Sequence, residues 1–298
     1  MNPRVKKLRE TLAQHPLLGD GAMGTQLQQL GLAPGAGGEL WNVEHPDRVQ
    51  SVHRAYLAAG ATLLTTNTFG GTSYVLEGHG AATRVDELNQ AGARLARAVA
   101  GDRAWVLGDI GPFGGMLEPF GDALPDEVSA AFHHQARALL AGGADAILIE
   151  TMSDSAEAEL AVEASKSAGA EFVIATFTFQ RTKAGYRTMM GTTVAEALVT
   201  VIAAGADAVG ANCGTELSLD DYVMLTAELV LAANGLPVIV QPNAGSPRLA
   251  GDRICYDESA LEFAAVVPRL LAAGARIIGG CCGCTPEHIA AMTSHFHR

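Results

Sequence analysis

Basic residues are scarce in this sequence, and no run of them occurs along it. The 20 Lys and Arg residues are outnumbered by 32 Asp and Glu residues, which gives a formal net charge of −12 at pH 7. Proteins bind nucleic acids and anionic membrane surfaces mainly through clustered Lys and Arg. We therefore expect neither nucleic acid nor a membrane to be a partner of this protein.

Long apolar runs are also absent. Gly, Asp or Arg interrupts the apolar stretches well before the roughly 20 residues that span a bilayer, and the charged residues 1–12 contain no apolar segment resembling a signal peptide. A cytoplasmic location is therefore expected. Because 48% of the residues are hydrophobic and only 17% are charged, the chain can build a large core, which argues against disorder.

Cysteines are few and unevenly placed. Of the five, Cys213 and Cys255 stand apart, whereas Cys281, Cys282 and Cys284 lie almost together. Adjacent cysteines rarely pair with each other, and an odd number without a secretion signal fits reduced thiols. Metal binding or catalysis is the better interpretation of such a cluster.

One phrase recurs five times: a helical pattern ends on Gly-Ala and an apolar stretch follows, with the glycine at positions 60, 143, 169, 205 and 274. Glycine tolerates the left-handed conformation that commonly ends a helix. Short continuous apolar runs are typical of strands that are buried on both faces of a parallel sheet. Each phrase therefore predicts the end of a helix followed directly by a parallel strand.

Strands that lack the phrase bring the predicted total to eight, near residues 17–19, 63–67, 105–109, 146–150, 172–177, 208–211, 238–241 and 277–280. Helical patterns at 128–141, 155–168 and 194–204 lie between strands, and long loops at 31–38 and 111–125 follow strands 1 and 3. Eight βα units without a linker predict an α/β fold, a (β/α)8 TIM barrel forming a single domain over residues 1–298. The alternative is an open doubly wound sheet, which usually has about five or six strands.

Three cysteines fall where predicted strands end. In such a barrel the chemistry lies at the carboxyl ends of the strands, and Cys213 follows strand 6 while Cys281 and Cys282 follow strand 8. Three thiolates can bind a zinc ion and leave its fourth tetrahedral position open, as catalytic sites do. Glycines flank the adjacent pair and let two successive side chains reach one ion. The alternative is three buried small apolar residues, since free cysteine is commonly buried.

The chemistry of such a site can be argued from its ligands. Soft thiolates favour zinc over harder cations. Three of them leave a negatively charged metal centre, which is a poor electrophile for splitting water. A substrate thiol at the open position would lose its proton and become a nucleophile at neutral pH, although the free pKa of a thiol is about 8.5. The cluster therefore favours thiol activation over hydrolysis.

Several motifs make the sequence recognisable, namely Asp20-Gly21-Ala22-Met23-Gly24-Thr25, Gly210-Ala211-Asn212-Cys213, and Gly279-Gly280-Cys281-Cys282-Gly283 with Thr285-Pro286-Glu287-His288. They span almost the whole chain and resemble the homocysteine S-methyltransferase family. The segments 66–71, 150–154 and 242–245 are most similar to the homocysteine-binding module of cobalamin-dependent methionine synthase. The resemblance implies a (β/α)8 barrel on which homocysteine, bound to zinc through its sulfur, accepts a methyl group and leaves as methionine.

The resemblance also implies a metal site. Cys213, Cys281 and Cys282 match the family's zinc ligands and are the predicted catalytic residues. Asn243 matches a residue whose side-chain oxygen can fill the fourth zinc position when substrate is absent, so it is predicted in both the metal site and the substrate site.

Further substrate-binding residues are implied in the same way. Glu150 matches an acidic residue that holds the substrate ammonium, and the backbone amides of Asp20 and Gly21 match the site for its carboxylate. Glu150 can instead be an ordinary strand-end carboxylate, and Asp20-Gly21 a tight turn. Asn67 and Asp109 either contact substrate or organise the mouth of the barrel by hydrogen bonds.

The sequence departs from the family pattern in two ways. Cys284 stands where the family usually has Thr; the simplest interpretation is one extra buried thiol, with an alternative ligand or an oxidation partner as the other possibilities. The chain also ends at Arg298 without the folate, corrinoid and reactivation modules of methionine synthase, so we expect any corrinoid to come on a separate protein. His288 is expected to cap the last helix or to pack at it, and Cys255 to have no part in the site.

The methyl donor is predicted from the scarcity of aromatic residues. A small onium donor, such as S-methylmethionine or a betaine, needs an enclosed and usually aromatic cage. Aromatic residues make up only 5% of the chain, and of its two tryptophans Trp41 is placed to reach the mouth, while Trp105 begins strand 3 at the opposite end. We therefore predict transfer from methylcobalamin or a methyl-corrinoid protein. The alternatives are an onium donor, and a noncatalytic zinc-bound subunit that docks a corrinoid protein.

Overall fold

Eight short strands alternate with helices in the computed structural model, which describes residues 2–250 and 253–296. The strands are β1 (Leu17–Leu18), β2 (Leu63–Thr65), β3 (Trp105–Ile110), β4 (Ala146–Met152), β5 (Val173–Phe177), β6 (Ala208–Asn212), β7 (Val238–Gln241) and β8 (Ala275–Ile278). They form one parallel sheet in the order β1-β8-β7-β6-β5-β4-β3-β2. The two outer strands meet where Thr62 donates its backbone N–H to Leu18 O at 2.8 Å. The predicted (β/α)8 barrel is therefore confirmed.

The helices lie outside this ring and at its ends. The α-helices of the described residues are α1 (Pro3–Gln14), α2 (Met23–Gln29), α3 (Trp41–Glu44), α4 (Pro46–Ala58), α5 (Ser73–Glu77), α6 (Val85–Ala100), α7 (Pro125–Ala141), α8 (Ser155–Ser167), α9 (Val194–Ala203), α10 (Leu219–Ala232), α11 (Ala260–Ala272) and α12 (Pro286–Met292). Short 3-10 helices cover Gly38–Leu40, Ala82–Arg84 and Thr293–His295. Two hairpins, Gln180–Thr182 with Gly185–Arg187 and Arg248–Ala250 with Arg253–Cys255, follow β5 and β7. None of the described helices has the length and apolar character needed to span a bilayer.

The predicted helix boundaries hold closely. All five glycines of the repeated phrase have positive φ values, between 99° and 105°, as expected for residues that end a helix in the left-handed conformation. Helices α8 and α9 match their predicted ranges, whereas α7 begins at Pro125 instead of residue 128. Proline suits the first turn of a helix because it has no N–H to leave unpaired there, and Asp126 and Glu127 complement the positive end of the helix dipole.

Successive side chains along each strand point to opposite faces of the sheet, and this alternation divides the core into two layers. One apolar layer fills the barrel interior and includes Leu63, Leu107, Leu148, Ile174, Ile239 and Ile277, while the residues beside them in sequence pack outward against the helices. Helix α1 closes the amino-terminal end of the barrel with Val5, Leu8 and Leu12. Arg4 also binds Asp145 there at 2.7 Å. The interior is thus a packed plug, and the opposite end remains for chemistry.

A polar layer lies directly above this plug. Because side chains alternate along a strand, the residue two positions beyond an inward apolar residue also points inward. The residues at these positions are Thr65, Asp109, Glu150, Thr176 and Gln241, at the carboxyl ends of β2, β3, β4, β5 and β7. The fold therefore brings polar side chains from separate parts of the chain together at the carboxyl end of the barrel.

Candidate functional site

Three cysteine thiols meet at the carboxyl end of the barrel. Cys213 directly follows β6, and Cys281 and Cys282 follow β8. Their sulfur atoms all lie within 4.8 Å of one another, and the sulfurs of Cys213 and Cys282 are 3.5 Å apart. Three sulfurs bound at about 2.3 Å to one tetrahedral zinc ion are separated by roughly 3.8 Å. The cluster therefore has the spacing and the donor chemistry that zinc requires.

The segment 241–244, which ends and follows β7, holds the three cysteines in place. Strand β7 lies between β6 and β8, so its end faces both cysteine-bearing strands. Three backbone hydrogen bonds join the segment to the cysteines: Cys213 N–H to Gln241 O (3.3 Å), Cys281 N–H to Pro242 O (2.8 Å), and Ala244 N–H to Cys282 O (2.9 Å). Cys213 also has a positive φ of 48°, which turns it out of the strand.

Hydrogen bonds among the three thiols shift their pKa values in opposite directions. Hydrogen bonds from Cys213 and Cys281 lower the pKa of Cys282 to about 3. Hydrogen bonds with Cys213 and Cys282 raise the pKa of Cys281 well above its usual range. The lowered pKa favours the thiolate form of Cys282, and thiolates are the form in which cysteine binds metals.

The other two cysteines are outside this cluster. Cys284 is fully buried, and its thiol lies 3.5 Å from Pro242 O, to which it donates. Cys255 is exposed at the end of its hairpin strand. Within the described residues, the group that could hold a metal ion consists of Cys213, Cys281 and Cys282. Cys284 is thus the extra buried thiol that its sequence position suggested.

A cavity of about 510 Å³ opens beside the cluster. Its lining includes the three cysteines and four of the five residues predicted to bind substrate, namely Asp20, Gly21, Asn67 and Glu150. Asn243 is the exception. It is buried, its side-chain amide donates to Gly214 O at 3.3 Å, and its Oδ1 accepts no hydrogen bond from the described residues. An unpaired amide oxygen next to the loop that carries Cys213 is compatible with the predicted metal contact.

Glu150 projects into the cavity from β4. Its Oε2 accepts a hydrogen bond from Asn212 Nδ2 at 3.0 Å. Burial, and then the charge of Cys282, raise the pKa of Glu150 to about 8. A carboxyl group in this environment gains strongly from a cation bound beside it.

Asn212 connects Glu150 to the cysteines, although its role was not predicted from the sequence. Its Nδ2 lies 2.7 Å from Thr151 Oγ1 and 3.8 Å from Cys281 Sγ. Its Oδ1 accepts from Thr151 N–H at 2.9 Å and from Thr176 Oγ1 at 2.7 Å. The position of Asn212 directly before Cys213 was the available signal, but its four partners come from β4, β5 and the loop after β8.

Asp20 and Gly21 form the turn between β1 and α2. The Asp20 carboxylate accepts from Thr65 N–H at 2.7 Å and from Thr65 Oγ1 at 2.8 Å, and burial raises the pKa of Asp20 to about 7. A β-carbon at Gly21 would lie 2.8 Å from Cys284 O, so a larger residue would displace the loop after β8. The Asp20 side chain therefore joins the turn to the end of β2.

Asn67 makes hydrogen bonds that connect the loop after β2 to the 3-10 helix Gly38–Leu40 and to α3. Its Nδ2 donates to Gly38 O at 2.8 Å and to Asn42 Oδ1 at 3.0 Å. Both amide hydrogens are thus engaged by protein, and this favours the organising role over donation to substrate.

Tyr256 is a second residue that was not singled out from the sequence. Burial, and then the charge of Cys282, raise the pKa of Tyr256. Its ring covers Gly283, where a β-carbon would lie 2.2 Å from the ring. His288, by contrast, has the predicted capping role: its Nδ1 lies 2.9 Å from Thr285 Oγ1 at the start of α12.

The tryptophans do not form part of the cavity. Trp41 stands at a sequence position from which it could reach the mouth, but it does not line the cavity: the side chain is buried, with its ring against His45 and the Arg48 guanidinium over it. Trp105 lies at the opposite end of the barrel, as predicted, where its Nε1 donates to Arg4 O.

Comparison with known proteins gives a consistent result over the whole chain. The family model for homocysteine S-methyltransferase matches residues 17–296. The methionine synthases of Mycobacterium leprae and Mycobacterium tuberculosis are 35% and 34% identical over 98% and 95% of this chain, which spans about a quarter of their length. The metallated homocysteine methyltransferase MmuM from Escherichia coli has 26% identity and a TM-score of 0.77, with 98% of this chain and 99% of that one covered. The chain therefore belongs to the homocysteine S-methyltransferase family.

Proposed function

We propose that this protein methylates the sulfur of homocysteine, or of a closely related thiol, at a zinc ion held by Cys213, Cys281 and Cys282. The observation that carries the proposal is the convergence of three sulfurs beside a cavity that also contains Glu150. A zinc ion held there would lower the pKa of the substrate thiol and keep its sulfur nucleophilic at neutral pH.

The chain's own residues would bind and orient the amino acid. Glu150 lies on the cavity wall and would accept hydrogen bonds from the substrate ammonium. The backbone amides of Asp20 and Gly21 would hold the substrate carboxylate, and Asn243 would supply an oxygen to the metal in the absence of substrate. The acceptor sulfur is thereby directed at the open mouth, where a methyl donor can approach in line.

For the donor, we propose a methyl-corrinoid carried by a protein. Phe69 is the one Phe, Tyr or Trp among the described lining residues, so an aromatic cage for an onium ion is lacking. Apolar side chains are exposed on the loops that follow β2, β3 and β5, namely Phe69, Met116, Phe120, Met189 and Met190. Exposed apolar surface around a site commonly receives a protein partner.

A second candidate is a small cationic donor, such as S-methylmethionine or a betaine. Four acidic residues line the cavity, whereas the lining within the described residues has no Lys or Arg. Such a lining attracts cations. The noncatalytic alternative has less support, because the cysteine cluster and the Glu150 environment are both intact.

Methionine formation with each donor tests both proposals. We expect zinc-loaded protein to convert homocysteine to methionine with methylcobalamin faster than with S-methylmethionine or glycine betaine at equal enzyme. A preference for either onium compound would replace the corrinoid proposal and leave the proposed thiol activation standing. Absence of methionine with all donors, including a methyl-corrinoid protein, would contradict the proposed function.

Glu150→Gln tests the proposed ammonium site. A hydrogen bond to a charged group contributes roughly 1.5–3 kcal/mol, so we expect homocysteine affinity to fall about tenfold to a hundredfold. Zinc content should not change, because Glu150 is not a ligand in the proposed site. Calorimetric titration with homocysteine measures the effect, and unaltered affinity would show that Glu150 has a structural role only.

A further inference from the structure

Asp109 is held rigidly in the polar layer above the barrel plug. It lies in β3, two positions beyond the inward-facing Leu107. Its N–H donates to Thr66 Oγ1 at 2.9 Å, and its C=O accepts from Thr68 Oγ1 at 2.8 Å. These two bonds fix the backbone on both sides. The side chain is only 4% exposed and lines the cavity.

The carboxyl group of Asp109 has an acceptor oxygen that the protein leaves unused. Its Oδ1 is buried and receives no hydrogen bond from the described residues. The other three carboxyl groups of the cavity each have a protein donor: Thr65 for Asp20, Gly70 N–H for Glu39 and Asn212 for Glu150. Buried polar groups are nearly always hydrogen-bonded, so an unpaired acceptor on a residue that lines a cavity indicates a ligand with a donor group.

The surroundings of Asp109 specify the charge of that ligand. Asp109 and Glu150 both line the cavity, and each carboxyl group affects the pKa of the other. Burial, and then the charge of Glu150, raise the pKa of Asp109 well above its usual range. Two adjacent buried carboxyl groups avoid mutual repulsion either when one of them keeps its proton or when a cation lies with them. A primary ammonium supplies both the positive charge and three N–H donors.

We propose that Asp109 is a second acceptor for the substrate ammonium, so that Asp109 and Glu150 together hold the amino group of an amino-acid thiol. This inference rests on the proposed function and assigns Asp109 to substrate contact, one of the two roles that its sequence position left open. The pair makes the cavity selective for thiols that carry an amino group over thiols of the same length without one.

The test compares two ligands that differ only at that group. L-homocysteine and 4-sulfanylbutanoate share the thiol, the carbon chain and the carboxylate, but the second lacks the ammonium. Calorimetric titration of each into zinc-loaded wild-type and Asp109→Asn protein gives four dissociation constants. We expect Asp109→Asn to weaken homocysteine binding roughly tenfold to a hundredfold and to change 4-sulfanylbutanoate binding by less than about threefold.

Glu157→Gln serves as the matched control. Glu157 is a buried carboxyl that accepts Phe113 N–H at 2.7 Å and does not line the cavity. This variant should bind both ligands as the wild type does. If Asp109→Asn does not fold, Asp109→Ser removes the same charge with a smaller side chain, while the backbone bonds of residue 109 remain.

Each outcome decides a specific point. If Asp109→Asn weakened the binding of both ligands equally, Asp109 would have a structural role and the inference would be overturned. Unchanged affinity for homocysteine in this variant would overturn it as well. Neither result would affect the proposed function, because wild-type binding of homocysteine would stand. Failure of zinc-loaded wild-type protein to bind homocysteine would overturn the proposed function and, with it, this inference.

Discussion

Cys213→Ala is expected to strip most of the zinc from the protein and to abolish homocysteine methylation. Loss of a single outer-shell partner commonly weakens metal binding about tenfold to a hundredfold, and removal of a direct thiolate ligand should exceed that range. Cys281→Ala and Cys282→Ala should behave alike, since their sulfurs belong to the same cluster. Metal analysis of freshly reduced protein, expressed as zinc per chain, measures the effect.

Two cysteines outside the cluster provide controls. Cys284→Ala removes a buried thiol close to the site, and Cys255→Ala removes an exposed one. Both variants should retain one zinc ion per chain. Full zinc retention by Cys213→Ala would contradict the proposed metal site, whereas zinc loss from Cys284→Ala would add that residue to it.

Asn212→Ala is expected to destabilise the protein and weaken homocysteine binding together. Its amide contacts Glu150, Thr151, Thr176 and the sulfur of Cys281, and the residue is fully buried. Each buried group that loses its partner costs about 1–3 kcal/mol, so we expect the free energy of unfolding to fall by roughly 2–4 kcal/mol. Chemical denaturation measures this change, and calorimetry measures the accompanying loss of homocysteine affinity.

Asn212→Asp keeps the size and shape of the side chain and adds a negative charge. The acceptor for Thr151 and Thr176 is kept, but the donor to Glu150 is replaced by a carboxylate oxygen that repels it. We therefore expect the free energy of unfolding to fall by more than the loss of one neutral hydrogen bond costs, which is about 0.5–1.5 kcal/mol. If Asn212→Ala had the same free energy of unfolding as the wild type, the hydrogen bonds of Asn212 would not stabilise the protein, contrary to this prediction.

The barrel could be predicted because its signals are local. A glycine that ends a helix and an apolar run that follows it lie next to each other in the chain, and the positive φ values of Gly60 and Gly274 confirm this interpretation. The cysteine cluster could also be predicted, because parallel strands bring their carboxyl ends to one mouth. The positions of Cys213, Cys281 and Cys282 at strand ends were sufficient for that inference.

The burial of Trp41 could not be predicted in this way. Its place in the loop after β1 is compatible with the mouth, but the residue begins α3 and packs against His45. Burial of a large apolar ring against a neighbouring helix is favourable, and this packing depends on how α3 and α4 meet. Loop position alone does not contain that information.

The sequence by itself thus determined the eight-stranded barrel, the family and the three thiols that meet at its mouth, because strand order and alternation depend on short-range patterns. Only the tertiary structure decided which polar atoms near those thiols are paired. Asn212 takes partners from β4, β5 and the loop after β8, whereas Oδ1 of Asp109 has none within the described residues. Hydrogen bonds form between atoms about 3 Å apart in space, and residues from separate strands reach that distance only after the barrel has closed.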